Sequence, residues 1–265
     1  MNLSPQDIAK LVCASNAAEL VQPGMKVGLG TGSTAEWLVK CLALRAHAEG
    51  LRFDAAATSI RTAGLAEDLG LSISSLDTLG RLDLTIDGAD EFDPNLNLIK
   101  GAGGALLVEK IVATASDRMV VITDKSKQVD VLGAGTYPLP IEVIQYGHET
   151  TARLINTLSH DLRAFLGKTD LQRRLKDGGP VITDEGHFLY DLRVDHISDP
   201  SALSEGLLNI PGVVETGLFL GIADEIVVGE ADGRWETIAA SGPVASGTLS
   251  SPKDLLKDLE AANVL

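Results

Sequence analysis

The feature that constrains the fold most is a short apolar segment that ends in glycines and runs directly into a helical pattern. Residues 25–29 form the apolar segment, glycines stand at positions 28, 30 and 32, and residues 33–48 have helical spacing. A strand, a glycine turn and a helix in this order are typical of a parallel α/β sheet. The helix start offers unpaired N–H groups and a positive dipole end, which favour a bound phosphate. A purely structural turn stays open, because the spacing is neither the dinucleotide fingerprint nor a P-loop.

The same alternation of strands and helices continues along the first half of the chain. In such sheets, ligands bind beyond the carboxyl ends of the strands. We therefore expect an α/β fold with a mostly parallel, Rossmann-like sheet and flanking helices. The expected strands are residues 53–58, 71–75, 82–86, 96–99 and 119–123, and the expected helices are residues 4–22, 59–69 and 105–115.

The pattern changes near Gly133 to a strand, a helix, two strands, a helix and a strand, which predicts a smaller α+β, ferredoxin-like inserted domain. We expect a catalytic domain from residues 1–135 and 220–240, a small domain from residues 136–219, and a C-terminal extension from residues 241–265. The charged segment 167–179 is expected to be a loop and 181–183 a strand. The extension reads as a Gly/Ser-rich linker followed by a helix capped near Ser251.

Composition narrows the class of protein. The 265 residues carry a net charge of −15, which disfavours binding to nucleic acid and to anionic membranes. We expect no signal peptide and no membrane span, because neither a basic-then-apolar N-terminus nor a long apolar run is present. Cys13 and Cys41 have no metal-binding spacing and are expected to be buried, reduced thiols of a cytoplasmic protein.

Two carboxylates, Asp87 and Asp90, follow an apolar strand and would point from one end of the sheet. Helix capping and turn chemistry are an alternative explanation, since Asp and Gly are common in turns. A divalent metal site that also uses Glu91 and Asp93 is a second alternative. The five histidines are scattered, so no histidine cluster supports the metal.

Glu109 lies within an otherwise apolar helical segment, and poor solvation there would raise its pKa and make it a better base. An exposed glutamate beside Lys110 is the alternative. Lys100, which precedes a glycine run, could balance negative charge on a substrate oxygen. Lys127 follows another strand and could reach a phosphate, or could be a solvated lysine.

Taken in order, these motifs resemble ribose-5-phosphate isomerase, type A, over roughly residues 4–239. Each motif alone is of moderate specificity, but their order and spacing agree as a set. The motifs are Gly30-Thr31-Gly32-Ser33-Thr34, Asp87-Gly88-Ala89-Asp90-Glu91, Ile99-Lys100-Gly101 with Ala105-Leu106 and Glu109-Lys110, Ser126-Lys127-Gln128-Val129-Asp130, Pro138-Leu139-Pro140-Ile141-Glu142-Val143 and Ile210-Pro211-Gly212-Val213-Val214.

The resemblance implies interconversion of D-ribose 5-phosphate and D-ribulose 5-phosphate through an enediolate, with no cofactor and no metal. It implies that Glu109 is the base and that Asp87, Asp90 and Lys100 assist at the oxygens. It also implies a homodimer or homotetramer in the pentose phosphate pathway, and a contribution of positive charge from Lys10. The implied substrate-binding residues are Thr31, Gly32, Ser33, Thr34, Asp87, Gly88, Ala89, Asp90, Lys100, Gly101, Ala102, Gly103 and Lys127.

One departure from the family pattern is Ala102, which stands where many members have glycine. Two other functions stay open on a related fold. One is a sugar-phosphate-sensing module, although no basic helix-turn-helix precedes the sheet. The other is a CoA-transferase-like enzyme, in which Glu109 would be a nucleophile and not a base.

Overall fold

The computed structural model describes residues 3–265, without the side chains of residues 164 and 165, so the first two residues of the predicted catalytic domain lie outside it. The strands are β1 (Lys26–Leu29), β2 (Asp54–Ala57), β3 (Ser72–Ile73), β4 (Leu84–Gly88), β5 (Glu91–Phe92), β6 (Leu98–Ile99), β7 (Met119–Asp124), β8 (Leu139–Val143), β9 (Asp170–Arg173), β10 (Leu175–Lys176), β11 (Gly179–Pro180), β12 (Phe188–Arg193), β13 (Val213–Thr216), β14 (Leu218–Phe219), β15 (Glu225–Gly229), β16 (Arg234–Ala239) and β17 (Gly242–Thr248). The helices are α1 (Pro5–Ala18), α2 (Ser33–Ala48), α3 (Ile60–Asp68), α4 (Leu76–Leu79), α5 (Leu106–Thr114), α6 (His148–Asp161), α7 (Arg163–Leu166), α8 (Pro200–Leu208) and α9 (Pro252–Ala261), with a 3₁₀ turn at Lys125–Lys127.

The chain forms two compact units. Of the described residues, the first contains 3–88, 108–126 and 222–265, and the second contains 89–107 and 127–221. No described helix combines the length and the apolar character that crossing a bilayer requires.

The first unit is built on an eight-stranded sheet in the order β17-β16-β15-β7-β4-β1-β2-β3. In that order, neighbouring strands from β15 to β3 pair in parallel, whereas β16 pairs antiparallel with both β15 and β17. The α/β fold with a mostly parallel sheet is therefore confirmed. Parallel strands buried on both faces are expected to be almost continuously apolar, and every residue of β7 is buried.

Successive residues of β1 face opposite sides of this sheet, and helices pack on both sides. Val27 and Leu29 join the main apolar cluster, to which α1, α2 and α9 contribute. Gly28 points the other way, toward Val112 of α5. Helix α5 is therefore held on the face opposite α1 and α2.

The second unit contains an antiparallel sheet in the order β13-β8-β12-β9 and a three-stranded sheet in the order β14-β6-β5. Around the first sheet, the main succession β8, α6, β9, β12, α8, β13 follows the strand–helix–two strands–helix–strand pattern predicted for a small α+β domain. Its core contains side chains from α6 and α8, including Ile155, Leu203 and Leu207.

The units differ from the predicted domains in residues 89–107, 127–135, 220–221 and 241–265. Residues 89–107 group with the smaller unit, because β5 and β6 pair with each other and β6 pairs with β14. The C-terminal extension groups with the larger unit, because β17 pairs with β16 and α9 packs against α1 and α2.

Local structure also differs from the sequence-based expectation in places. The expected linker after residue 241 is strand β17, and the expected loop 167–179 contains β9 and β10. The expected strand 181–183 makes only an isolated bridge at Ile182, because Thr183 and His187 close a turn there. The capped C-terminal helix is confirmed, since the Ser251 hydroxyl accepts from the Asp254 amide at 3.2 Å.

Candidate active site

Glycines let β1 and the turn after it approach β4 closely. A Cβ on Gly28 would lie 2.1 Å from Oγ1 of Thr85, and one on Gly30 would lie 2.0 Å from Oδ1 of Asp87. That Asp87 oxygen accepts the amide of Thr31 at 3.1 Å and the amide of Gly88 at 2.7 Å. Asp87, expected just beyond its strand, is the fourth residue of β4 and is fully buried. Its carboxylate thus ties the glycine turn to the carboxyl end of the neighbouring strand.

The N-terminus of α2 is the predicted phosphate site. Gly32 is its N-cap residue with φ +110°, a conformation that favours glycine, and no side chain caps the helix. Ser33 begins the helix and is exposed, and its hydroxyl accepts from Nζ of Lys10 at 3.0 Å. Thr34 follows in the same turn. Lys10 on α1 therefore adds a positive charge to the helix end that a phosphate would approach.

The hydroxyl of Thr31 lies in a polar cluster that the sequence did not reveal. Its Oγ1 is 2.7 Å from Oγ1 of Thr58, 2.8 Å from Oγ of Ser59 and 3.3 Å from Oγ1 of Thr62. Thr62 in turn donates to the carbonyl of Gly30 at 3.0 Å. These hydroxyls fix the turn from the side of β2 and α3, so Thr31 has a structural role in addition to the predicted binding role.

Glu109 is on α5 and only 3% exposed, which removes the alternative of an exposed glutamate. The helix is held by Val112, one turn further on, which packs beneath Gly28 and Thr85. A hydrogen bond between the hydroxyls of Thr85 and Ser116 at 2.6 Å and one from Ser116 to the Val112 carbonyl at 2.9 Å reinforce this contact. The close approach that Gly28 permits therefore sets the position of the helix that carries Glu109.

Lys100 belongs to the second unit, where it is 2% exposed and immediately follows β6. Its amide donates to the carbonyl of Gly217 at 2.9 Å, and its Nζ lies 5.4 Å from the centroid of the Phe219 ring. A Cβ at position 217 would come within 2.3 Å of the Lys100 carbonyl. The backbone of Lys100 is thus seated closely against β14 and the residue before it.

The loop after Lys100 is organised by Asp90, whose Oδ2 accepts the amide of Ala102 at 2.8 Å. The Asp90 amide donates to the carbonyl of Ile99 at 2.8 Å, so residue 90 contacts both ends of this segment. Gly101 has φ +105° and leaves no room for a Cβ against Leu106. Ala102 and Gly103 are exposed, so the methyl group of Ala102 has space.

Lys127 ends the 3₁₀ turn after β7 and is partly buried, with Nζ 3.8 Å from the centroid of the Tyr137 ring. The next residues are held by Glu91, which was considered above only as a metal ligand. Glu91 is buried and accepts the amide of Gly133 at 2.7 Å, and burial raises its pKa despite this bond. Glu91 is therefore a structural carboxylate that anchors the loop following Lys127.

The predicted site residues thus divide between the two units. Among the residues that the structure describes, no group of three or more His, Cys, Asp and Glu side chains is arranged to hold a metal ion. The first unit holds Thr31, Gly32, Ser33, Thr34, Asp87, Gly88 and Glu109, and the second holds Ala89, Asp90, Lys100, Gly101, Ala102, Gly103 and Lys127.

Sequence reasoning missed Arg174, which donates to the carbonyls of Gly101 and Ala102 beside Lys100. The only signal was a pair of arginines in a charged segment that reads as a surface loop. Both cysteines behave as expected, since they are buried free thiols. Burial raises the pKa of Cys41 to about 12, which keeps that thiol protonated and unreactive.

Solved structures define the class to which this fold and site belong. The chain is similar to a D-ribose-5-phosphate isomerase solved in complex with phospho-erythronic acid, with a TM-score of 0.79 and 35% identity. The match covers 90% of this chain and 100% of the solved one. The protein is an isomerase with an α/β fold.

Sequence comparisons identify the family. Residues 55–233 match the family model of ribose 5-phosphate isomerase A (phosphoriboisomerase A). Ribose-5-phosphate isomerase A of Jannaschia sp. (strain CCS1) is 55% identical over 234 residues, which is 88% of each chain. The protein of the same name from Roseobacter denitrificans is 50% identical over 260 residues, 97% of this chain and 95% of the relative. The chain belongs to the ribose 5-phosphate isomerase A family.

Proposed function

We propose that the protein interconverts D-ribose 5-phosphate and D-ribulose 5-phosphate by moving a proton through an enediolate. The observation that carries this proposal is the 55% identity to a ribose-5-phosphate isomerase A across 88% of both chains. The phospho-erythronic acid bound by a structural relative supports it, because a carboxylate resembles the flat, delocalised charge of an enediolate. Phospho-erythronic acid is therefore expected to inhibit this enzyme competitively.

Glu109 is the proposed base. In the open-chain aldose, its carboxylate removes the proton from C2 and leaves the electron pair shared between C1, C2 and their oxygens. Returning that proton to C1 gives the ketose, so one carboxylate serves both directions. A positioned base of this kind contributes about 10²–10⁴-fold to the rate. The burial of Glu109 on a firmly held helix supports this role, because water then competes less for the transferred proton.

Lys100 is proposed to stabilise the negative charge that develops on the substrate oxygens. A fixed ammonium group in a water-poor site needs little reorganisation as this charge forms. Asp87 and Asp90 are proposed to assist ring opening and to move the proton between the oxygens at C1 and C2. The hydrogen bonds that hold Asp87 to the glycine turn and Asp90 to the Lys100 loop support precise placement of both carboxylates.

The phosphate is proposed to bind at the N-terminus of α2, through backbone N–H groups and the hydroxyls of Ser33 and Thr34. The helix dipole, Lys10 and Lys127 supply positive charge in a chain whose net charge is −15. Binding energy from the phosphate is then available to orient the distant C1 and C2 atoms.

By resemblance to the family, we also propose a homodimer or homotetramer that acts in the cytoplasm in the non-oxidative pentose phosphate pathway. Light scattering of the purified protein tests the first part, and a monomer at micromolar concentration would contradict it. The −15 net charge supports the proposal that nucleic acid is not a partner.

The direct experiment is to incubate the purified protein with ribose 5-phosphate and follow ribulose 5-phosphate by its ketose absorbance. Steady turnover is expected, with inhibition by phospho-erythronic acid. Tight binding without turnover would favour a sensing module. An acyl adduct trapped by hydroxylamine after incubation with an acyl-CoA would favour the transferase, in which Glu109 is a nucleophile.

A further inference from the structure

Arg174 makes four directed hydrogen bonds within the smaller unit. Its Nε and Nη2 donate to the two carboxylate oxygens of Asp191 at 2.9 and 2.5 Å. Its Nη1 donates to the carbonyl of Gly101 at 2.9 Å and to that of Ala102 at 3.1 Å. A bidentate arginine–carboxylate pair has fixed geometry, so Asp191 determines where the remaining nitrogen points.

The backbone of Arg174 is itself well anchored just after β9. Its amide donates to the carbonyl of Leu189 at 2.8 Å, and its carbonyl accepts the amide of Val181 at 3.0 Å. The side chains of Arg174 and Asp191 are only 15% and 19% exposed. The guanidinium is therefore a fixed group, and the loop that it contacts carries Lys100.

The two carbonyl contacts define the orientation of successive peptide groups. In a trans peptide the C=O and N–H bonds point in opposite directions. The Gly101 carbonyl faces Arg174, and the Ala102 N–H on the other side of that peptide donates to Asp90 at 2.8 Å. The Ala102 carbonyl and the Gly103 N–H belong to the next peptide group. Because that carbonyl faces Arg174, the Gly103 N–H points away from Arg174.

We propose that Arg174, held by Asp191, is a positioning residue that sets the peptide orientation of the Lys100–Gly103 loop for catalysis. Its charge also polarises the two peptide groups, which strengthens their N–H groups as donors. Arg174 touches neither the reacting atoms nor the phosphate in this account. The inference rests on the proposed function, because it assigns Arg174 to the isomerisation.

The test is a chemical rescue of Arg174→Ala in the ribose 5-phosphate assay. We expect kcat to fall about tenfold to hundredfold, as for a small misplacement of reacting groups, while inorganic phosphate inhibits as in the wild type. Added ethylguanidinium should restore turnover in a saturable manner, because it can occupy the vacated position with the same planar set of N–H donors. Ethylammonium carries the same positive charge but lacks the planar guanidinium donors, so it should restore little turnover.

Arg173→Ala is the matched control, since Arg173 is the preceding residue and its guanidinium carbon lies 5.3 Å from the Phe188 ring. It should show no loss of kcat and no response to ethylguanidinium. If R174A does not fold, Arg174→Lys replaces it, and the same fall in kcat is expected with a normal thermal transition.

Three results overturn the inference. The first is a normal kcat in the folded Arg174 variant. The second is a fall in kcat of folded R174A that ethylguanidinium does not relieve. The third is an equal fall in kcat of R173A that ethylguanidinium relieves to the same extent. An inactive wild type would overturn the proposed function and this inference with it. An active wild type with an unimpaired R174A would overturn the inference alone.

Discussion

At the scale of single residues, this protein buries charge where most proteins avoid it. Asp87, Lys100 and Glu109 are all at most 3% exposed. Burying an ionisable group is unfavourable unless hydrogen bonds or opposite charges compensate for the lost hydration. Ionisable groups in unusual environments are concentrated at functional sites, so the burial of these three side chains supports the proposed roles.

Replacement of Glu109 by Gln tests the proposed base at nearly constant volume. We expect kcat to fall by about 10²–10⁴, because the amide does not accept the C2 proton. Inhibition by inorganic phosphate should be unchanged, since phosphate is proposed to bind elsewhere. Glu67→Gln on the exposed side of α3 is the control and should be fully active. Near-normal turnover by folded E109Q would remove Glu109 as the base.

Glu91 is expected to make the stability of the folded protein depend on pH. Burial raises the pKa of Glu91 above its ordinary value of 4.5, so the folded state binds a proton more tightly than the unfolded state. Stability from this group is therefore complete below pH 4.5 and is lost as the pH rises through the raised folded pKa.

The measurement is urea unfolding of the wild type and Glu91→Gln across this pH range. Because the glutamine stays neutral, the free energy of unfolding of E91Q should rise relative to that of the wild type as the pH increases. Glu236→Gln, at an exposed position of β16, should show no such trend. If the free energy of unfolding of E91Q minus that of the wild type stayed constant or fell as the pH increased, the raised pKa of Glu91 would be contradicted.

At the scale of elements, the turn between β1 and α2 depends on two glycines for different reasons. Gly32 needs its positive φ, whereas Gly30 needs the absence of a Cβ. The sequence predicted the strand, the turn and the helix, because glycine spacing and apolar periodicity are local signals. It did not predict the hydroxyl cluster around Thr31, since those contacts join residues 27 to 31 positions apart.

Substitution of Gly30 by Ala tests the turn. The new Cβ would lie 2.0 Å from Oδ1 of Asp87 and 2.6 Å from its Cα, so the turn and β4 must separate. We expect both a lower melting temperature and a fall in kcat/KM of about a hundredfold, the scale of a 1 Å misplacement. Thermal unfolding and steady-state kinetics measure the two effects.

Gly64→Ala is the matched control, because it lies inside α3 and its Cβ would have no neighbour within 4 Å. That change should stabilise the helix by up to about 1 kcal/mol and leave kcat/KM unchanged. If G30A retained wild-type kinetics, the contact between the turn and Asp87 would have no part in the reaction.

At the scale of the whole molecule, the fold class followed from the alternation of strands and helices and the family from the ordered motifs, and both were confirmed. The two compact units do not coincide with the predicted domains. Strands β5 and β6 have only two residues each, too few to show an alternating pattern, and β14, the partner of β6, is more than 110 positions away in sequence. Likewise, β17 is rich in Gly, Ser and Pro, and is a strand because it pairs with β16.

The C-terminal helix is expected to stabilise the larger unit without acting in catalysis. Leu259 of α9 is fully buried in the cluster shared with α1 and α2. Leu259→Ala should lower the free energy of unfolding by about 2–5 kcal/mol. The kcat of the folded protein should not change. Leu265→Ala, at a position 39% exposed, should have almost no effect on either quantity. A loss of kcat in folded L259A would contradict the separation of stability from catalysis.

The central claim is proton transfer through an enediolate, and its most direct test is isomerisation in D₂O. Wild type and E109Q would be incubated with ribose 5-phosphate and EDTA, and the products examined by proton NMR. We predict that the wild type forms ribulose 5-phosphate with deuterium at C1, unaffected by EDTA, and that E109Q forms almost none. Wild-type product that retains the substrate's own hydrogen at C1 would leave the isomerase standing and indicate a shielded proton or a hydride shift. No product from the wild type, or wild-type rates of product formation by folded E109Q, would contradict the account.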